Sequence, residues 1–242
     1  HVSKFIFNDD TLSRVNFRLK TLKVDDLCMK GDEMENFRKF LLLHKDSLTF
    51  LNMECIDDAT AKVLNKFTIL NTLEVTSVSP NFIKTDNIRE LLVFYFDKDW
   101  AKQFPFVRKL TISTSKDLKH VENFKHLEWL WILDADPKDL NLSALKELMI
   151  TPTLHASDMK SLPFDLRGSK IEKINCSDYP DVPLWLIKYL NRDSTKLKEL
   201  RLDNTIVNSK LLHTIEKNRH KIEVLTINKC FGEDDFFHTT NH

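Results

Sequence analysis

Apolar residues recur along the 242-residue chain in groups of three, the second three positions after the first and the third two positions later. The pattern opens at Val2, Phe5 and Phe7, and returns at Leu19, Leu22 and Val24 and at Leu48, Leu51 and Met53. It runs on through the groups that begin at Leu70, Ile88, Val107, Leu127 and Leu145. The last three groups are Ile171, Ile174 and Cys176, then Leu197, Leu200 and Leu202, then Ile222, Leu225 and Ile227. Residues two apart on an extended chain share a face, so each group predicts a short strand with one apolar side. From Leu19 on, successive groups start 29, 22, 18, 19, 20, 18, 26, 26 and 25 residues apart, so long units flank a run of short ones.

The stretch from Leu197 to Ile227 shows a whole unit: a strand, a polar break at Asp203-Asn204, a helical run and the next strand. This is the L-x-x-L-x-L rhythm of a leucine-rich repeat, in which one strand and one return segment make a turn of a solenoid. The fold class it predicts is α/β: a curved leucine-rich-repeat solenoid with a parallel inner sheet and with helices and loops on the outer face. About eleven repeats occupy residues 1–230. The long units have room for helices. Gly31 is followed by Asp32-x-x-Glu35, a capping-box pattern, and then by Met34, Phe37, Phe40 and Leu41 at helical spacing. Asp57 and Asp58 can cap a second helix that turns Val63, Leu64 and Phe67 inward, and Pro183 opens a third. Asn208 or Ser209 opens a fourth, with Leu211, Leu212 and Ile215. Units between Leu70 and Ala144 leave only single turns or loops outside, which predicts strong curvature at the ends and a flatter middle. The strand at Val2 has nothing before it to cover it, so the chain is expected to be truncated at its N-terminus or to take a cap from a partner. Residues 231–242, acidic and aromatic, read either as a cap over the last strand or as a free tail.

Between the inward residues stand those that face the concavity. At the ends they are polar: Thr21, Lys23 and Asp25 in one unit, and Glu199, Arg201 and Asp203 in another. In the middle they are apolar: Leu92 and Phe94, then Trp129, Trp131 and Leu133, then Met149. Adjacent residues of a strand cannot both face the core, which leaves two readings. One is an exposed apolar patch that meets a protein partner, rimmed by Glu90, Lys109 and Glu147. The other is a face covered by a neighbouring loop or by the C-terminal tail.

Composition narrows the rest. The 36 basic and 36 acidic residues cancel, so no global field draws in nucleic acid or an acidic membrane. No apolar run reaches the roughly 18 residues that cross a bilayer, and the first residues are neither a signal peptide nor a lipidation site. Cys28, Cys55, Cys176 and Cys230 lie far apart, which predicts reduced thiols packed as small hydrophobes and an intracellular protein, cytoplasmic or nuclear. With three glycines no phosphate-cradling loop can be built, and none of the nine histidines sits in a metal-ligand motif. The run from Lys116 to Lys125 is interrupted by acids and reads as a solvated face. No cofactor, metal or catalytic residue is expected, and an enzyme is not.

The irregular units of 18 to 29 residues, the phrase FRKFLLLHKDSLTFLNM running from helix to strand, and LKELRLDNT followed by a helix resemble the repeat domains of F-box/leucine-rich-repeat proteins. The likeness covers nearly the whole chain. It implies a substrate-recognition part of an SCF-type ubiquitin ligase that holds a protein on its concave face. In the family an F-box ahead of the repeats binds the Skp1 adaptor of the cullin machinery, and no F-box is visible in these residues. A structural or inhibitory subunit docked in a larger assembly is the alternative reading, and the segment upstream of His1 would discriminate the two.

Overall fold

The computed structural model describes residues 16–24, 31–79, 86–95, 99–114, 118–133, 142–151, 166, 169–179, 184–192 and 195–232. The chain divides into two compact units, His1–Leu110 and Thr111–His242. The first holds β1 (Thr21–Val24), α1 (Asp32–Leu43), β2 (Phe50–Ile56), α2 (Asp58–Leu64), β3 (Thr72–Val78), β4 (Glu90–Tyr95) and α3 (Trp100–Gln103). The unit boundary falls within β5 (Lys109–Thr114). The second unit holds a 3-10 turn (Leu118–Asn123), β6 (Trp129–Leu133), β7 (Glu147–Thr151), β8 (Lys173–Ser177) and α4 (Leu184–Leu190). It goes on with β9 (Glu199–Asp203), β10 (Ile206–Val207), α5 (Ser209–Lys217), β11 (Val224–Asn228) and β12 (Phe231–Gly232).

Strands pair in parallel and in chain order, β1-β2-β3-β4 in the first unit and β6-β7-β8-β9-β11 in the second. Their register aligns the apolar groups. Leu22 stands beside Leu51, which stands beside Leu73 and then Leu91. In the second unit the row is Leu130, Leu148, Ile174, Leu200 and Leu225. The chain is therefore an α/β leucine-rich-repeat solenoid. Ten of the eleven sequence groups carry a strand, and the group at Val2 lies outside the described residues.

A repeated backbone device holds that register although the units differ in length. The carbonyl one residue after the first apolar position accepts two amides of the next strand. Lys20 O accepts from Thr49 and Phe50 at 2.9 and 3.1 Å, and Arg89 O from Arg108 and Lys109 at 2.8 and 3.0 Å. Glu128, Lys146, Glu172 and Lys198 do the same in the second unit, at 2.7 to 3.0 Å. Because the partners are main-chain groups, any return segment that reaches the next strand can be accommodated. The inward residues of β2 to β9 are fully or nearly fully buried, each leucine contributing about 1.5–3 kcal/mol of transfer free energy.

The last repeats close with a second set of bonds. Asp178, Asn204 and Lys229, each just past a strand, adopt positive φ of 56°, 48° and 51°. Asn204 Nδ2 donates to Asp178 Oδ1 at 2.7 Å. Next comes buried Thr205, whose hydroxyl reaches Asp203 O at 2.9 Å and Cys176 O, one repeat back, at 3.2 Å. Cys230, one repeat later, places its Sγ 3.4 Å from Leu202 O. β10 and β12 form a small parallel ladder outside these turns.

Where their start residues are described, the outer helices follow their sequence signals with two corrections; Pro183, ahead of α4, lies outside the described residues. Asp57 caps α2, accepting from Thr60 N at 2.7 Å, and Asn208 caps α5, accepting from Leu211 N at 2.9 Å. Helix α1, however, starts from Gly31 at φ 55° with no side-chain cap bond, so Asp32 and Glu35 lie inside the first turn and favour the helix by charge instead. On α5 the buried stripe is Leu211, Thr214 and Ile215, and Leu212 is exposed because it lies about a quarter-turn off that stripe. Two of the short units cross the outer face as α3 and the 3-10 turn; residues 80–85 and 134–141, in the crossings after β3 and β6, lie outside the described residues.

The thiols split. Cys176 is fully buried and its thiol is pushed far up by desolvation. Cys230 is half-buried. Cys55 is exposed rather than packed, because the alternation of β2 slips by one residue after Met53: Glu54 and Cys55 both face out and Ile56 is the next inward residue. Cys28 lies outside the described residues, as do residues 233–242 of the tail. At the C-terminal end Leu225 and Ile227 keep the inward spacing but are each 45% exposed.

Candidate protein-binding face

In the second unit the inner face of the sheet is read directly from the register. Trp129, Trp131 and Leu133 of β6 alternate with buried Leu130 and Ile132, and all three are half-buried. Trp129 is opposite Glu147, Trp131 opposite Met149 and Leu133 opposite Thr151 on β7. The two indoles meet edge to face, centroids 6.3 Å apart at 76°. Trp131 Nε1 donates to Thr151 Oγ1 at 3.2 Å. The mutual contact and the Trp131 hydrogen bond restrain the rings while both stay partly accessible, the state of an anchor that loses little freedom when a partner covers it.

Beside this apolar cluster the face is charged, and most of its charges are internally paired. At the position before each strand stand Glu128, Lys146, Glu172, Lys198 and Glu223, alternating in sign from strand to strand. Lys146 pairs with Glu128 at 3.4 Å and Lys198 with Glu172 at 3.5 Å. One position on, Lys173 pairs with Glu199 at 2.9 Å, and its ammonium pKa is raised by that hydrogen bond and charge, with smaller help from Glu147 and Glu172. Exposed pairs of this kind stabilise little. Their consequence is electrostatic: they cancel most of the charge at the border of the tryptophan cluster, while Glu147, opposite Trp129, is in no ion pair among the described residues. Arg201 and Asp203 pair with each other on β9.

The sequence-derived site divides between the units. Glu90, Leu92, Phe94 and Lys109 belong to the first; Trp129, Trp131, Leu133, Glu147 and Met149 belong to the second. Within the first, Leu92 is half-buried beside Glu74 of β3, Phe94 is 48% exposed, Glu90 is half-buried beside Thr72, and Lys109 is exposed. Thr111, at an inner position of β5, is buried.

Three features were not picked out from the sequence. The alternating row Glu128 to Glu223 becomes visible once the units are aligned on their apolar groups. Buried His44 continues the Phe37, Phe40, Leu41 stripe of α1 and packs between Phe17 and Phe40, at 5.5 and 4.7 Å between ring centroids. Glu54 and Glu74 flank a depression on the inner face of the first unit. Among the described residues no group of three or more His, Cys, Asp or Glu is arranged to hold a metal ion, and no helix is long and apolar enough to cross a membrane.

No family profile and no curated protein matches the sequence. Among solved structures the chain is similar to an internalin from Listeria monocytogenes, with 13% sequence identity and a TM-score of 0.41. The match covers 86% of this chain and 66% of the internalin chain, just under two thirds of its length.

Proposed function

We propose that this chain is a non-enzymatic protein-binding repeat domain whose partner docks on the inner face of the second unit, anchored by Trp129 and Trp131. The observation that supports this is the pair of half-buried indoles in edge-to-face contact on a sheet face, with Met149 and Leu133 beside them and mostly paired charges around them. Tryptophan is the residue most enriched at binding hot spots, and an apolar centre inside a polar border is the usual anatomy of an interface. In this reading Glu147 belongs to that border, while Glu90, Leu92, Phe94 and Lys109 form a second contact area on the first unit.

The finer reading is recognition of a substrate for an SCF-type ubiquitin ligase. It rests on the resemblance carried by FRKFLLLHKDSLTFLNM and LKELRLDNT, which fold as α1 leading into β2 and as β9 leading towards α5. A permanently docked structural or inhibitory subunit uses the same surface without ubiquitin chemistry. Co-purification of Skp1 with the natural full-length protein supports the first, and its absence from a complex that retains the inner-face partner supports the second.

Affinity capture tests the face itself. Trp129→Ala with Trp131→Ala removes both anchors, and losing one central Trp typically costs an interface about 2 kcal/mol or more, roughly thirtyfold in affinity. The double variant should lose the proteins that the parent captures and keep its thermal midpoint to within a few degrees. Unchanged capture by the folded variant would move the binding site elsewhere; a collapsed midpoint would make the indoles core.

A further inference from the structure

We infer that the inner face of the first unit carries a separate site for a basic peptide, a depression of about 400 Å³ between β2, β3 and β4 that receives lysine or arginine side chains. Its polar lining is Asn52, Glu54, Glu74 and Thr76, and its aromatic wall is Phe94. Asn52 stands opposite Glu74 across the β2–β3 ladder, and Glu74 stands opposite Leu92 across the β3–β4 ladder. Neighbouring parallel strands lie about 4.8 Å apart, so the carboxylates and the phenyl ring converge within the span of one long side chain.

The chemistry follows from what these groups leave unmatched. Among the described residues, none of Asn52, Glu54, Glu74 and Thr76 makes a side-chain hydrogen bond or ion pair. In the second unit, by contrast, Glu128, Glu172 and Glu199 each have a lysine within 3.5 Å, and Glu147 stands beside Lys173 on the next strand. Among the described residues no cationic side chain lines the depression. Lys23, on the adjoining strand, has its ammonium over the Phe50 ring, 5.6 Å from the centroid. Two carboxylates therefore present acceptors with no donor of their own, and half-exposed Phe94 adds a ring face that attracts cations. A charged ammonium or guanidinium on an apolar stem matches both. The occupant is a peptide segment rather than a free small cation, because the lining continues along three strands, Asn52 and Glu54 on β2, Glu74 and Thr76 on β3 and Phe94 on β4, which suits an extended chain laid across the sheet.

The site lies in the other unit from the tryptophans, and its test is independent of them. Binding of a fluorescein-labelled hexalysine peptide to the purified chain is measured by anisotropy, with spermine as competitor. Glu54→Gln with Glu74→Gln should weaken binding about tenfold and Phe94→Leu about threefold. Glu128→Gln with Glu172→Gln, which removes the same charge elsewhere, should change it less than about twofold, as should Trp129→Ala with Trp131→Ala. Spermine should compete only at concentrations well above the peptide. No hexalysine binding, equal losses from the two glutamate pairs, undiminished binding by the Glu54 and Glu74 variant, or spermine binding as tight as the peptide would each overturn the assignment.

Discussion

Replacing Thr205 by valine tests how one repeat is tied to the one before it. Thr205 is fully buried just past β9, and its hydroxyl reaches Asp203 O within its own turn and Cys176 O in the preceding repeat. Valine keeps the branched shape but exchanges the hydroxyl for a methyl group, leaving a buried carbonyl without this donor. The penalty for such an orphaned group is about 1–3 kcal/mol, larger than the roughly 1 kcal/mol that an average hydrogen bond contributes net. For a chain of this size each kcal/mol moves the thermal midpoint by about 2–4 °C, so a drop of about 2–12 °C is expected. Urea titration followed by far-ultraviolet circular dichroism provides the free energy, with an unchanged m-value required for the comparison. Thr226→Val is the control: Thr226 lies half-buried on the inner face of β11, where the same exchange should cost under about 0.5 kcal/mol. A Thr205→Val cost as small as that of the control would refute the idea that this hydroxyl ties the repeats together.

Two further outcomes follow from buried groups. Desolvation lowers the His44 pKa below its ordinary 6.5, and Nδ1 already accepts the Leu19 amide at 3.4 Å, so the unfolded chain takes up this proton at a pH where the folded chain does not. The stability His44 contributes is complete above about pH 6.5 and is lost as the pH falls from there through the folded value. The urea midpoint should thus drop more between pH 7.5 and 5.5 in the parent than in His44→Phe, and equal drops would contradict it. Among the thiols, Cys55 should react with a maleimide within minutes in the native state while Cys176 stays unmodified until denaturant is added; mass spectrometry that finds Cys176 labelled in the native protein would place it outside the core.

The strands were legible because two independent regularities coincide in them, the apolar triplet and the main-chain rungs that lock triplet against triplet. Helix α2 was legible through Asp57, whose cap is a local bond. Helix α1 was legible as a helix, but its capping box was not real, since Gly31 takes φ 55° at the cap position and leaves Asp32 inside. Exposure of Cys55 could not be read, because β2 runs on to Ile56 and the apolar triplet says nothing of residues after it. On the inner face, parity alone identified Trp129, Trp131 and Met149 as non-core, whereas buried Thr111 broke that rule through neighbours that sequence spacing does not reveal. The ion pairs across β6 to β9 needed lateral register, which unequal unit lengths conceal until the triplets are superimposed.

The claim that the second unit's inner face is the binding surface is tested most directly by photo-crosslinking in the cell. A benzophenone amino acid is placed at Met149, between the tryptophan strand and β8, and in a parallel sample at Leu212, exposed on the outer helix α5. Illumination should yield a discrete higher-mass adduct from position 149, lost when Trp129→Ala and Trp131→Ala are added, and none from position 212. A partner crosslinked from position 212 and not from 149 would contradict the account.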